Sequence, residues 1–412
     1  RLSSTRRRVL PSSENPSEGD VVASLRTRHS RVAAWTLVAT FSVIAALVMV
    51  PRHALAADSE PSLSEAQAAI VVDSTGSVLY EKNPDEQINM ASVTKVMTAV
   101  VALESGTPLD KVCTLSKPKL AENAMVAGYE AGSTSSLEDL LHVMLVYSAN
   151  DAAYEVAVAV AGSEDAFVQM MNDKAVELGM NDTHFENPHG LDADGHHSTV
   201  HDLAILARYA MTTQPFIADT VRMQSTTVSV NGIETTFPTV DHLLGSYDGL
   251  LGIKTGAGNY VTAFMGCARR HGTTLYTVVL GCQTREGRFT DTEALLDWAF
   301  GTYDSYVLAS PEKAMGEQPF AYDLALMCPV AAQATTKGLV WPDAGPTTYV
   351  RTMSSTAQLC APGDTAGVCT WSQAGRTVGA CTYVATAKLT YARSGFGLVD
   401  ELSPNLMGAK AA

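Results

Sequence analysis

Charge and cysteine are both scarce in this 412-residue chain. Charged residues make up 17% of it, too few for a disordered or coiled-coil protein. Seven cysteines cannot build a disulfide scaffold, and no C-x-x-C pair occurs, so a zinc ribbon is not expected. Lysine is missing from the first sixty residues, which hold eight arginines. The net charge is −15, and with those arginines at the start the remainder is more acidic still. So acidic a body is a poor ligand for nucleic acid, and no such partner is expected. No repeat of 20–50 residues is visible. What is present is a 46% hydrophobic content, enough for a sizeable core, and length for two domains plus a targeting segment.

Residues 1–31 are polar and arginine-rich and read as a cytoplasmic basic segment. Residues 32–50 form an uncharged apolar run, followed by the small-x-small site Ala54-Leu55-Ala56. Two readings of 32–56 stay open, a cleaved signal peptide and a membrane anchor through residues 32–50. Basic residues ahead of the run place the body of the chain outside the membrane in either reading. Export would permit one or two disulfides among Cys328, Cys360, Cys369 and Cys381. Cys267 and Cys282 read as buried hydrophobes.

From about residue 60 the pattern turns globular. Strands are expected at 69–73 and 78–81, and a helix at 92–104. Ser135-x-x-Glu138 reads as a capping box ahead of a helix at 137–146. Further helices are expected at 152–161, 164–178 (with Gly179 as C-cap) and 201–211. Strands come next at 226–230 and 233–237. Residues 260–268 and 273–280 read as a hairpin turned by Arg269-Arg270-His271-Gly272, and 290–300 as a closing helix. Strands at both ends with helices between imply an α+β body at 60–306, one antiparallel sheet flanked by helices. Residues 311–400 read as a small β-rich domain.

Three short elements carry chemistry. Ser92-x-x-Lys95 puts a hydroxyl and an amine on one helical face. Ser148-Ala149-Asn150 interrupts two helical runs. Lys254-Thr255-Gly256 stands just ahead of the strand at 260–268. A serine hydroxyl attacks only once its proton is removed. Lys95 can remove it if burial and a second cation, Lys254, disfavour its own charge. Ser148 can relay a proton to a leaving nitrogen, and the Asn150 amide can bind a peptide group. A helix N-terminus at Ser92 suits an oxyanion hole. His196, His197 and His201 invite a zinc reading, but no matching glutamate motif accompanies them; no metal and no cofactor are expected.

All three elements, in this order, are the signature of penicillin-binding proteins and serine β-lactamases. The chain resembles the D-alanyl-D-alanine carboxypeptidases, low-molecular-mass penicillin-binding proteins, from about Gln67 to Phe300. Ala91–Ala99, Thr183–Leu191, Gly195–Thr199 and Gly249–Gly256 carry the resemblance beyond the motifs. It implies a β-lactamase/transpeptidase-like fold and a serine peptidase. Ser92 would be acylated by a peptidoglycan stem peptide ending in D-Ala-D-Ala, the last D-Ala would leave, and water would free the enzyme. β-Lactams would inhibit covalently. It further implies Ala257 as second oxyanion donor, and Thr255 and Arg288, just before the closing helix, as holders of the substrate carboxylate. The chain departs from the family pattern at Ala149, where glycine is usual, and after Gly256, where Ala257-Gly258-Asn259-Tyr260 stands. The ending Leu402–Ala412 is neither basic nor amphipathic, so an anchor, if there is one, is expected at the N-terminus. Two alternatives remain: a β-lactamase using Glu186 to activate water, and a catalytically silent peptidoglycan-binding scaffold.

Overall fold

The computed structural model describes residues 60–259, 261–320, 323–342, 344–353, 361–387 and 390–391. The basic segment, the apolar run at 32–50, Tyr260, Cys360 and the C-terminal ending all lie outside these. Among the described residues no helix is long and apolar enough to cross a membrane.

The body begins with β1 (Ala68–Asp73) and β2 (Val78–Lys82), then a 3-10 turn (Ala91–Thr94) running into α1 (Lys95–Glu104). A small ribbon, β3 (Val112–Thr114) with β4 (Thr134–Ser136), precedes α2 (Leu137–Val146), α3 (Asn150–Ala161), α4 (Glu164–Leu178), α5 (Val200–Thr213) and α6 (Pro215–Thr220). A second ribbon, β5 (Ser225–Val230) with β6 (Ile233–Pro238), leads to β7 (Leu250–Ala257), β8 (Thr262–Arg270), β9 (Thr273–Cys282) and α7 (Gly287–Thr302).

Five strands form one antiparallel sheet in the order β2-β1-β9-β8-β7. Its middle strands read as continuous apolar runs because both faces are covered. In β1, Ala68, Ile70 and Val72 face a core shared with α1–α6. Ala69 and Val71 face a second core under α7, with Phe264, Val279, Leu295 and Leu296. A period-2 strand between two helical layers buries every residue, and all six of β1 are buried.

Local signals differ from expectation at a few places. The cap of α2 is Ser136, the last residue of β4, whose hydroxyl accepts from Asp139 N at 3.0 Å; Ser135 lies one residue further back in the strand. Both registers offer a Ser-x-x-acid pattern, and the start of the helix at Leu137, directly after the strand, makes Ser136 the cap. The hairpin turn is only His271-Gly272, both at positive φ, so Arg269 and Arg270 belong to β8. The closing helix starts three residues earlier than expected and takes in Arg288. Lys254-Thr255-Gly256 lies inside β7, not ahead of a strand. The short helix α6, with Pro215 at its first position, had no expectation attached to it.

Beyond α7 the chain is β-rich. β10 (Asp304–Ala309) pairs with β13 (Thr336–Val340). β11 (Ala314–Phe320), β12 (Asp323–Ala332), β14 (Thr348–Met353), β15 (Thr365–Gln373), β16 (Arg376–Ala385) and β17 (Thr390–Tyr391) make a six-stranded sheet. Cys328, Cys369 and Cys381 pack in its core. The disulfides expected in this region do not occur among the described residues. The thiols act as small apolar groups, and burial pushes that of Cys369 up to about 12.

Candidate active site

Ser92 sits in the 3-10 turn, one residue past an unusual backbone. Ala91 has φ 48°, a left-handed conformation that disfavours a side chain. Its N–H donates to Asn89 Oδ1 at 2.7 Å. Its carbonyl accepts from the Thr94 hydroxyl at 2.7 Å. A Cβ at Gly190 would collide with that same carbonyl. So constrained, the turn runs straight into α1 and brings Ser92 Oγ within 2.9 Å of Lys95 Nζ.

Lys95 is fully buried. Its Nζ also donates to Asn150 Oδ1 at 2.8 Å and to the His189 carbonyl at 2.5 Å. Burial, then the Lys254 charge, hold its pKa well below the ordinary lysine value, against a smaller opposing pull from Asp151.

The joint between α2 and α3 supplies Ser148 and Asn150. Ser148 takes φ 73°, which reverses the chain between the two helices. It lines the cleft, but no hydrogen bond joins its hydroxyl to either lysine. The Asn150 amide is committed to the protein on both sides. Its oxygen receives Lys95, and its nitrogen donates to Met125 O at 2.9 Å. Expected only to bind substrate, Asn150 thus also fixes the lysine and the loop carrying Met125.

Strand β7 forms the facing wall. A Cβ at Gly256 would press on the Met90 carbonyl and Ala91, so glycine lets the strand close on the serine turn. Lys254 is 2% exposed and donates to Thr255 O at 3.1 Å. Burial, then the neighbouring Arg288, lower its pKa to about 7, with Asp241 opposing. Arg288 was expected in a turn before a helix; it lies in the first turn of α7, 6% exposed, with Nη1 bonded to Gly256 O at 2.5 Å. Its guanidinium stacks on Phe289, 4.7 Å from the ring centre.

Ser92, Ser148, Asn150, Thr255, Ala257 and Arg288 line one cleft of about 400 Å³. Lys95 and Lys254 lie behind its surface. Sequence reasoning attached no bracing role to the residues that hold it, and weighed His196 only as a metal ligand. Asp192 accepts from Asn89 Nδ2 at 2.9 Å and from Asn259 Nδ2 at 2.6 Å, tying the serine turn to the rim after β7. His196 accepts the Glu186 N–H on Nδ1 and faces Thr94 Oγ1 through Nε2 at 2.7 Å, so both its ring nitrogens are taken. The only signal for these residues was that the Thr183–Leu191 and Gly195–Thr199 segments carried the resemblance.

A serine beside a buried lysine, faced by a strand bearing a second lysine and glycine, defines a class: serine-type hydrolases. The family profile for D-alanyl-D-alanine carboxypeptidases, peptidase family S11, matches residues 55–284, and the chain belongs to that family. It is 31% identical over 253 residues to the D-alanyl-D-alanine carboxypeptidase DacF of Bacillus subtilis, spanning 59% of this chain and 64% of that protein. It is 33% identical to penicillin-binding protein D2 of Listeria monocytogenes, solved in its ampicillin-bound form, over 58% of this chain and all of that one, with a TM-score of 0.53. Penicillin-binding protein 5 of Haemophilus influenzae shares the fold over 80% of this chain and 99% of its own, with a TM-score of 0.67 at 22% identity.

Proposed function

We propose that the chain is a serine D-alanyl-D-alanine carboxypeptidase that removes the terminal D-alanine of peptidoglycan stem pentapeptides outside the cytoplasmic membrane. The observation that carries this is the bonding of Lys95. Two fixed acceptors, Asn150 Oδ1 and His189 O, take two N–H bonds and leave the third direction facing Ser92. A neutral amine held this way turns its lone pair to the serine O–H.

Ser92 Oγ then attacks the carbonyl of the penultimate D-Ala as its proton passes to Lys95. The backbone N–H groups of Ser92 and Ala257 receive the oxyanion. The proton goes on through Ser148 to the nitrogen of the terminal D-Ala as the C–N bond breaks. Water cleaves the resulting ester. Arg288, Thr255 and protonated Lys254 hold the substrate carboxylate, and the second N–H of Asn150 binds its peptide carbonyl. β-Lactams enter by the same acylation and remain as esters. Residues 60–306 form the peptidase domain and 311–400 the β-rich one. Residues 32–56 export the chain, and residues 32–50, where uncut, attach it to the membrane.

A β-lactamase reading needs a carboxylate that activates water at the ester. Glu186, the candidate, pairs with His184 at 3.1 Å and is not among the residues lining the cleft. The test is mass spectrometry. A labelled penicillin is expected to add to the Ser92 peptide, Ser92→Ala is expected to stay unmodified, and a defined pentapeptide is expected to lose one D-Ala. Labelling of Ser92→Ala at the wild-type level would sink the proposal, and fast nitrocefin turnover would favour the lactamase.

A further inference from the structure

The segment between α4 and α5 has no regular structure, yet it holds the serine turn from behind. His196 is buried, and the direction of its bonds fixes its tautomer. Nδ1 accepts the Glu186 N–H at 3.1 Å, so the ring proton sits on Nε2 and points at Thr94 Oγ1, 2.7 Å away. The Thr94 hydroxyl, receiving that bond, is left to donate to the Ala91 carbonyl. The other side of Ala91 is held in parallel, through Asn89 to Asp192. Each chain of bonds ends on Ala91, the residue directly before Ser92, which stands at positive φ. A strained conformation lasts only where its surroundings over-determine it, and these two chains with Gly190 are those surroundings.

We propose that His196 is a positioning residue for the acylation step: through Thr94 it locks the Ala91 carbonyl and so aims Ser92 Oγ at Lys95. The claim rests on the carboxypeptidase reading and adds a residue that touches neither substrate nor reacting atoms. Its effect belongs to the rate of acylation and not to substrate affinity, because none of the relay's hydrogen bonds is made to Thr255 or Arg288 on the carboxylate-binding wall.

The experiment tracks Ser92 acylation of the full chain by a fluorescent penicillin, separating the limiting rate from the half-saturating concentration. Thr94→Val keeps the shape and loses the hydroxyl. His196→Asn is too short to reach Thr94, whereas His196→Gln can present an N–H near the old Nε2. Thr94→Val and His196→Asn should each acylate about tenfold more slowly with half-saturation unchanged, the size of one lost hydrogen bond. His196→Gln should return to within about threefold of wild type, and Thr94→Val with His196→Asn together should be no slower than either alone. Wild-type rates in both single variants would overturn the proposal, as would multiplying losses in the double variant or a shift confined to half-saturation. An unlabelled wild type would instead refute the carboxypeptidase reading.

Discussion

The proposed mechanism needs Lys95 and Lys254 in opposite protonation states beside one cleft. Lys95 works as a base only when neutral, and burial with a neighbouring cation provides that. Lys254 helps hold a carboxylate only when charged, yet burial and Arg288 bring it to about 7. Protonated below that value and neutral above it, Lys254 should make KM for a peptide with a free C-terminal carboxylate rise as pH climbs past about 7. Arginine in its place stays charged throughout this range. For Lys254→Arg, a pH series of kcat/KM should therefore lack that alkaline limb or show it moved up by at least about one pH unit. The three motifs were legible because residue types at fixed spacings name their own chemistry. Arg288 was harder to place. Its sequence neighbourhood resembles an exposed turn, and only the packing of Phe289 and the bond to Gly256 O show it buried.

The element that sequence reading left least explained is the segment between α4 and α5. Helices and covered strands announce themselves through periodicity, and most of those of the body were found within a few residues, α6 and β7 excepted. A segment whose order comes from side chains reaching distant backbone has no period to read. Asn187 bonds Leu191 O and the Gly190 N–H, Asp192 bonds two asparagines, and His196 bonds Thr94. This has a consequence for stability. Burial, then the nearby histidines and Lys95, lower the pKa of His196 to about 3. In the unfolded chain it titrates near ~6.5. Between those values the unfolded state binds the extra proton, so stability is present above pH 6.5 and is lost as pH falls toward 3. On this group alone the unfolding free energy should drop by about 2 kcal/mol from pH 7 to pH 5. Urea unfolding at the two pH values should show the drop, and His196→Gln should show less of it.

At the scale of the whole molecule, the body and the β-rich region meet through Leu339 and Trp341, which pack into the core under α7, and through a set of polar side chains. Arg376, at the start of β16, stacks across the seam 5.1 Å from the Tyr303 ring centre, and within its own region donates to Leu339 O at 2.5 Å. It also lies 3.9 Å from Asp73 at the end of β1. Ser77 donates to Thr377 O at 2.6 Å. Losing the guanidinium removes a cation–π contact and a charged hydrogen bond, about 2 kcal/mol together. Arg376→Ala is therefore expected to split a single calorimetric transition in two, with the β-rich part melting first. Arg376→Lys, which keeps charge without the planar fork, should fall between. Sequence texture separated the two parts; the contacts between them depend on single residues far apart in the chain and left no pattern to find.

Ala91 at φ 48° and Ser148 at φ 73° are backbone positions that glycine would occupy with less strain. Lys95 and Lys254 are amines in a place that favours methionine. All four flank one cleft. A library selected for heat resistance alone, with no screen for turnover, should therefore gather replacements at these positions, each raising the melting temperature as it silences the serine. The same library selected for D-Ala release should leave them untouched and draw its gains from the far ends of the helices and the sheet edges.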